Sequence, residues 1–149
     1  MKIALKYGLS ITMVVVIWIV VVRHLMGVGP ESRANLIAPV LFNLAQIVGI
    51  FMGVIRRKTG VDGELSFKDT LKTGVGISFV YAVSTCLFFV LEYFVAGPKL
   101  LLSEAGAQNR PLWQVAAMAY AGLFFGSLIF GLIYSTVISF FLARRQPQR

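Results

Sequence analysis

The chain consists of four long apolar blocks joined by short polar segments. The blocks cover residues 8–22, 36–55, 76–96 and 113–143. A helix needs about 20 apolar residues to cross a bilayer. The first block reaches this length if it extends through Met26 and the Arg23 side chain reaches up to the headgroups. The pattern predicts an all-α integral membrane bundle in which 1–149 is one domain, with transmembrane helices at about 8–26, 36–55, 74–96 and 115–142.

The composition agrees with a membrane protein. Of the 149 residues, 58% are hydrophobic and 13% are charged, whereas a soluble domain is about half apolar and a quarter charged. No small-x-small cleavage site follows Val22, so we expect the first block to be a retained span rather than a signal peptide.

Lysine and arginine are unevenly distributed over the segments that join the blocks. Ten lie on the side that contains both termini: Lys2, Lys6, Arg56, Arg57, Lys58, Lys68, Lys72, Arg144, Arg145 and Arg149. Four lie on the other side: Arg23, Arg33, Lys99 and Arg110. Since cytoplasmic loops carry the basic excess, we expect cytoplasmic termini, a cytoplasmic basic loop 56–73 and an outward loop 97–112. The net charge of +8 gathers at span ends, which favours anionic lipid at the cytoplasmic face over a nucleic-acid partner.

The polar stretch GELSFKDTLKTGVG, residues 63–76, leads into the third span. Ser66 precedes Asp69 by three residues, the spacing of a helix cap ahead of an apolar run. The Ser66 hydroxyl is expected to accept from the backbone N–H of Asp69, and the Asp69 carboxylate suits the positive end of the helix dipole. The stretch therefore predicts the beginning of a helix rather than a catalytic loop.

The same stretch carries a family resemblance. Arg56-Arg57-Lys58, then Gly63-Glu64-Leu65-Ser66-Phe67, then Leu71 and Gly74 resemble the bacterial family catalogued as domain of unknown function 4199, and Tyr93-Phe94 with Pro98 fit the end of its third span. Asp69-Thr70 stand where an Ala-rich turn is usual. The resemblance implies a four-span bacterial inner-membrane protein. The family is uncharacterised, so the resemblance implies no catalytic residue.

Two sets of small and polar residues are candidates for helix packing. Asn43 and Gln46 lie near the middle of the second span, on a stripe that continues to Gly49 and Gly53. Gly122 and Gly126, with Ser127 and Gly131 further along, form a similar set in the fourth span, either within one chain or in a homodimer. Small residues spaced by four let helices approach closely. A substrate or ion pathway along the first stripe is the alternative.

Glu92 is the only acid inside an apolar block, and Arg23 and His24 end the first span on the same side. An ion pair between Glu92 and Arg23 would join the first and third helices. Alternatively, Glu92 and His24 together carry protons, because histidine exchanges protons near neutral pH.

The sequence offers little for catalysis. His24 is the only histidine, Cys86 is the only cysteine, and no phosphate-binding glycine loop occurs. We therefore predict no catalytic, cofactor or metal site. The expected function is non-enzymatic, through helix–helix contacts as a homo-oligomer or as an accessory subunit of a larger membrane complex. The alternative is a small dimeric transporter that uses polar residues of the second and third spans.

Overall fold

The computed structural model describes residues 2–27, 34–59, 66–98 and 110–142. These residues form four helices, each long and apolar enough to cross a membrane, as the hydropathy pattern predicts. The helices are α1 (Lys2–Ile19), which continues as a π-helical turn (Val20–Leu25), α2 (Ala34–Thr59), α3 (Phe67–Ala96) and α4 (Leu112–Leu142).

Each helix begins earlier in the sequence than its predicted span. α1 includes the Lys-containing residues 2–7, and α3 starts seven residues before 74. The segment 56–73 is also largely helical, because α2 continues through Thr59 and α3 begins at Phe67. The reason is that a helix need not end where the apolar block ends, since its polar turns project beyond the hydrocarbon. Residues 60–65, most of the loop 97–112 and the arginines after 142 lie outside the described residues.

The two middle helices hold the bundle together. α3 packs on α1, α2 and α4, and α2 packs on α1, α3 and α4. The central cluster of buried apolar side chains is Ile11, Val15 and Ile19 of α1, Ile50 and Val54 of α2, Ile77 and Tyr81 of α3, and Ile138 of α4. The α1 members recur every four residues, which places them on one face of that helix.

Polar contacts fix one end of the bundle, here called the basic end, where α1 and α3 begin and α2 and α4 finish. Lys58 donates from Nζ to the backbone oxygen of Leu142 at 3.1 Å, which satisfies a carbonyl in the last turn of α4. Arg57 donates to the Thr73 hydroxyl at 2.7 Å and so joins α2 to α3.

The predicted cap at Ser66 is confirmed at this end. The Ser66 hydroxyl oxygen accepts from the Asp69 backbone N–H at 3.2 Å, and the hydroxyl donates to the Asp69 carboxylate at 2.7 Å. α3 therefore begins with a side-chain cap and an acidic group in its first turn, and both favour the start of a helix.

Candidate functional site between helices α2 and α4

The glycines of the helices fall into two groups by the space around them. A Cβ added at Gly49 or Gly53 would meet the Ile11 or Ile77 side chain, and one added at Gly131 would meet Ser78. These three glycines are points of close helix contact, as predicted for Gly49 and Gly53. A Cβ added at Gly122 or Gly126 would meet no atom within 4 Å. Within the described chain, a side chain added at either of these two glycines would point into open space.

The polar stripe of α2 divides between two neighbours. Asn43 and Gln46 bond to α4, whereas Gly49 packs on α1 and Gly53 packs on both α1 and α3. The division follows from helix geometry, because each step of three residues turns a stripe by about 60°. The predicted single face therefore serves several contacts.

Gln46 joins the midpoints of two helices. It lies in the middle of α2 with 2% of its surface exposed, and its Nε2 donates to the backbone oxygen of Ser127, the central residue of α4, at 2.9 Å. Asn43, one turn away, donates from Nδ2 to the Pro39 oxygen at 2.8 Å and accepts from the Tyr134 hydroxyl at 2.7 Å. Both amides act as interhelical hydrogen-bonding groups, in agreement with the packing interpretation.

A groove of about 270 Å³ opens beside these amides, between α2 and α4. We call it the α2–α4 groove. It is lined by Pro39, Phe42, Asn43 and Gln46 of α2, Tyr81 of α3, and Gly122, Leu123, Gly126, Ser127 and Phe130 of α4. Because Gly122 and Gly126 have no side chains and a Cβ added at either would meet no atom within 4 Å, their missing side-chain volume forms part of the groove.

The site residues predicted from the sequence do not include Pro39, Tyr81 or Tyr134. A proline inside an apolar block is a visible signal, since it removes one backbone hydrogen bond from its helix. The participation of Tyr81 and Tyr134 depends on the arrangement of three helices. Tyrosines of an apolar span carry no sequence mark that distinguishes those at a groove.

The predicted ionisable site lies near the other end of the bundle. His24 Nε2 and Glu92 Oε1 are 4.0 Å apart, with 45% of the His24 side chain and 8% of the Glu92 side chain exposed. His24 belongs to the π-helical turn, in which the Met26 N–H donates to the Val21 oxygen, five residues back. The side chain of Arg23 lies outside the described part of the structure, so the Glu92–Arg23 pair stays a prediction.

The described residues contain few further side chains that could bind a metal ion or react. Among them, no group of three or more His, Cys, Asp or Glu side chains is placed to hold a metal ion. Cys86 is half-buried, and its thiol lies 3.9 Å from the Tyr120 backbone oxygen, the environment of a small packing residue.

Comparison of the chain with protein-family models, curated proteins and solved structures finds no match. The resemblance to domain of unknown function 4199 therefore rests on the residues that carry it.

Proposed function

We propose that this protein is a non-enzymatic membrane protein that acts by binding another transmembrane helix through the exposed face of α4. The single observation that carries the proposal is the contrast between its glycines. Gly122 and Gly126 are open, while Gly8, Gly49, Gly53, Gly74, Gly76 and Gly131 each have a neighbour within 3.4 Å of an added Cβ.

The exposed face of α4 has the form of a helix contact. Met118, Phe125 and Ile129 are 59%, 60% and 59% exposed, and Gly122 lies among them on the same helical face. Open small residues between larger side chains let a second backbone approach closely, and van der Waals contact drives helix association in a bilayer. The partner is a second copy of the chain or a helix of a larger complex.

The proposed setting is a bacterial inner membrane, with both termini in the cytoplasm. Among the described residues, the basic end carries Lys2, Lys6, Arg56, Arg57, Lys58, Lys68 and Lys72, and anionic lipid on the cytoplasmic leaflet attracts such clusters. Fusion of a reporter enzyme after residue 149 and, separately, within residues 99–109 tests the orientation. We expect cytoplasmic activity for the first fusion and external activity for the second.

The proposed function is tested by extraction from native membranes in mild detergent, followed by size measurement and mass spectrometry. We expect the chain to be extracted as a homo-oligomer or as a complex with a partner in a fixed stoichiometric ratio. A monomer over a range of mild detergents and protein concentrations would contradict the proposal.

A small dimeric transporter is the second candidate. It is favoured by the buried Glu92 carboxylate, which lies 4.0 Å from a half-exposed histidine, because ionisable groups within a membrane often mark proton pathways. Against it, the described residues between Glu92 and the basic end of α3 include no second acid until Asp69. A continuous relay would need groups at shorter intervals.

A further inference from the structure

We infer that the α2–α4 groove is a binding site for an uncharged, lipid-soluble molecule that has one hydrogen-bonding head group on an apolar chain. The inference goes beyond the proposed function, because its ligand is a small molecule and its recognition depends on Asn43 and Gln46.

The position of the groove determines how a ligand reaches it. Gln46 and Ser127 lie at the midpoints of α2 and α4, which correspond to the hydrocarbon region of a bilayer. The groove is open on the lipid side, where Gly122 is exposed and Phe130 is 48% exposed. A molecule that enters from that side must first dissolve in the bilayer.

The lining determines the charge of the head group. Tyr81 is the one titratable side chain among the described residues that line the groove, and it is 4% exposed. A charged group near the bilayer centre is costly when no opposite charge is present. The head group that suits this lining is therefore uncharged.

The two amides supply the hydrogen bonds for such a head group. An amide side chain offers two N–H donors and two acceptor lone pairs. Among the described residues, the Pro39 and Tyr134 bonds use two of the four positions on Asn43, and the Ser127 bond uses one of the four on Gln46. Where water is excluded, a hydroxyl or carbonyl group of a ligand can complete these positions.

The volume limits what the groove can enclose. Pockets for drug-sized ligands measure about 300–1,000 Å³, and this groove measures about 270 Å³. It therefore holds a head group and the first part of a chain, and the rest of the chain extends past Gly122 into the bilayer. Phe42, Leu123 and Phe130 supply the apolar contacts.

A photoreactive alkanol tests the inference. The probe is a dodecan-1-ol with a diazirine a few carbons from its hydroxyl group, so that the reactive group lies inside the groove, added to phosphatidylcholine vesicles that hold on average no more than one protein each. We expect saturable labelling of peptides that contain the middle of α4. Unlabelled dodecan-1-ol should compete about three- to tenfold better than dodecane, the effect of about one neutral hydrogen bond.

Three variants locate the site. Gly126→Phe fills the groove and should abolish saturable labelling, whereas Ala121→Phe adds the same ring to an exposed neighbouring position outside the lining and should leave it unchanged. Gln46→Leu should remove the advantage of dodecan-1-ol over dodecane. Helix content measured by circular dichroism checks each variant. If Gly126→Phe fails to fold, the competition of dodecan-1-ol and dodecane in Gln46→Leu tests the inference by itself.

Two results would overturn the inference. One is labelling that does not saturate and spreads over all lipid-facing helices, which means adventitious contact with the probe only. The other is equal competition by dodecan-1-ol and dodecane in the wild-type protein. A partner helix on Gly122 and a ligand chain beside Gly122 would exclude each other, and for this reason each vesicle holds at most about one copy. Helix association then does not enter the assay, and either proposal can fail without the other.

Discussion

The amide nitrogen of Gln46 lies 2.9 Å from the backbone oxygen of Ser127, so a hydrogen bond connects the midpoints of α2 and α4. On the basic-end side of this bond, α4 approaches its neighbours so closely that an added Cβ at Gly131 would meet Ser78. On the other side, the space beside Gly126 and Gly122 is open. The same helix therefore has a closed glycine contact and an open one within three turns.

This difference predicts opposite responses to the same substitution. Gly131→Ala should lower the free energy of unfolding by about 1–3 kcal/mol, because the new methyl group overpacks a closed contact. Gly126→Ala should leave it unchanged or raise it slightly, since alanine favours helix more than glycine does. Unfolding by sodium dodecyl sulfate in mixed micelles measures both. Equal losses would show that Gly126 is as closely packed as Gly131.

The hydrogen bond between Asn43 and Tyr134 should contribute only modestly to stability. A double-mutant cycle with Asn43→Leu and Tyr134→Phe isolates it, because the second change removes the hydroxyl and keeps the ring. We expect a coupling free energy of about 0.6 kcal/mol and at most about 1.7 kcal/mol. A coupling near zero would mean that the 2.7 Å contact does not stabilise the bundle.

The cap of α3 can be tested at an exposed residue. Ser66→Ala removes the acceptor for the Asp69 backbone N–H and should cost about 0.5–2 kcal/mol of unfolding free energy. Ser66→Thr keeps a hydroxyl at the same position and serves as the control. Unfolding by sodium dodecyl sulfate in mixed micelles measures the free energy of unfolding of both variants. A loss of similar size for threonine would point to the backbone around residue 66 rather than to the cap.

How far the sequence predicts the structure depends on the type of contact. The four helices follow from local apolar patterning, and the Ser66 cap follows from a three-residue spacing, so both are predictable. The difference between Gly126 and Gly131 is not, because both glycines lie in one apolar helix and only the positions of α2 and α3 separate them. For the same reason, the predicted stripe from Asn43 to Gly53 divides among three helices.

A substitution in the His24–Glu92 pair distinguishes the helix-association proposal from the transporter alternative. Glu92→Gln keeps the size of the side chain and removes its ionisable group. If the protein acts through α4, the variant should associate with its partner as the wild type does. The reason is that Glu92 lies on α3, beside His24 of the π-helical turn that continues α1.

A dye that reports internal pH in vesicles, under an imposed membrane potential, checks the transport alternative. Proton movement by the wild type that Glu92→Gln abolishes would favour the transporter over the contact protein. His24→Gln serves as the companion variant, since a proton pathway through the pair needs both groups.

The most direct measurement is co-extraction of the partner in mild detergent with two bulky variants of the open face and one matched control. Gly122→Leu and Gly126→Leu place a large side chain in the open contact, while Ala117→Leu places it at an exposed position about 140° around the helix from Gly122. We expect both glycine variants to reduce the associated fraction by about tenfold or more, the effect of roughly 1.4 kcal/mol, and the alanine variant to retain it. If all three variants retain the wild-type association, the open glycine face of α4 is not where this protein binds its partner.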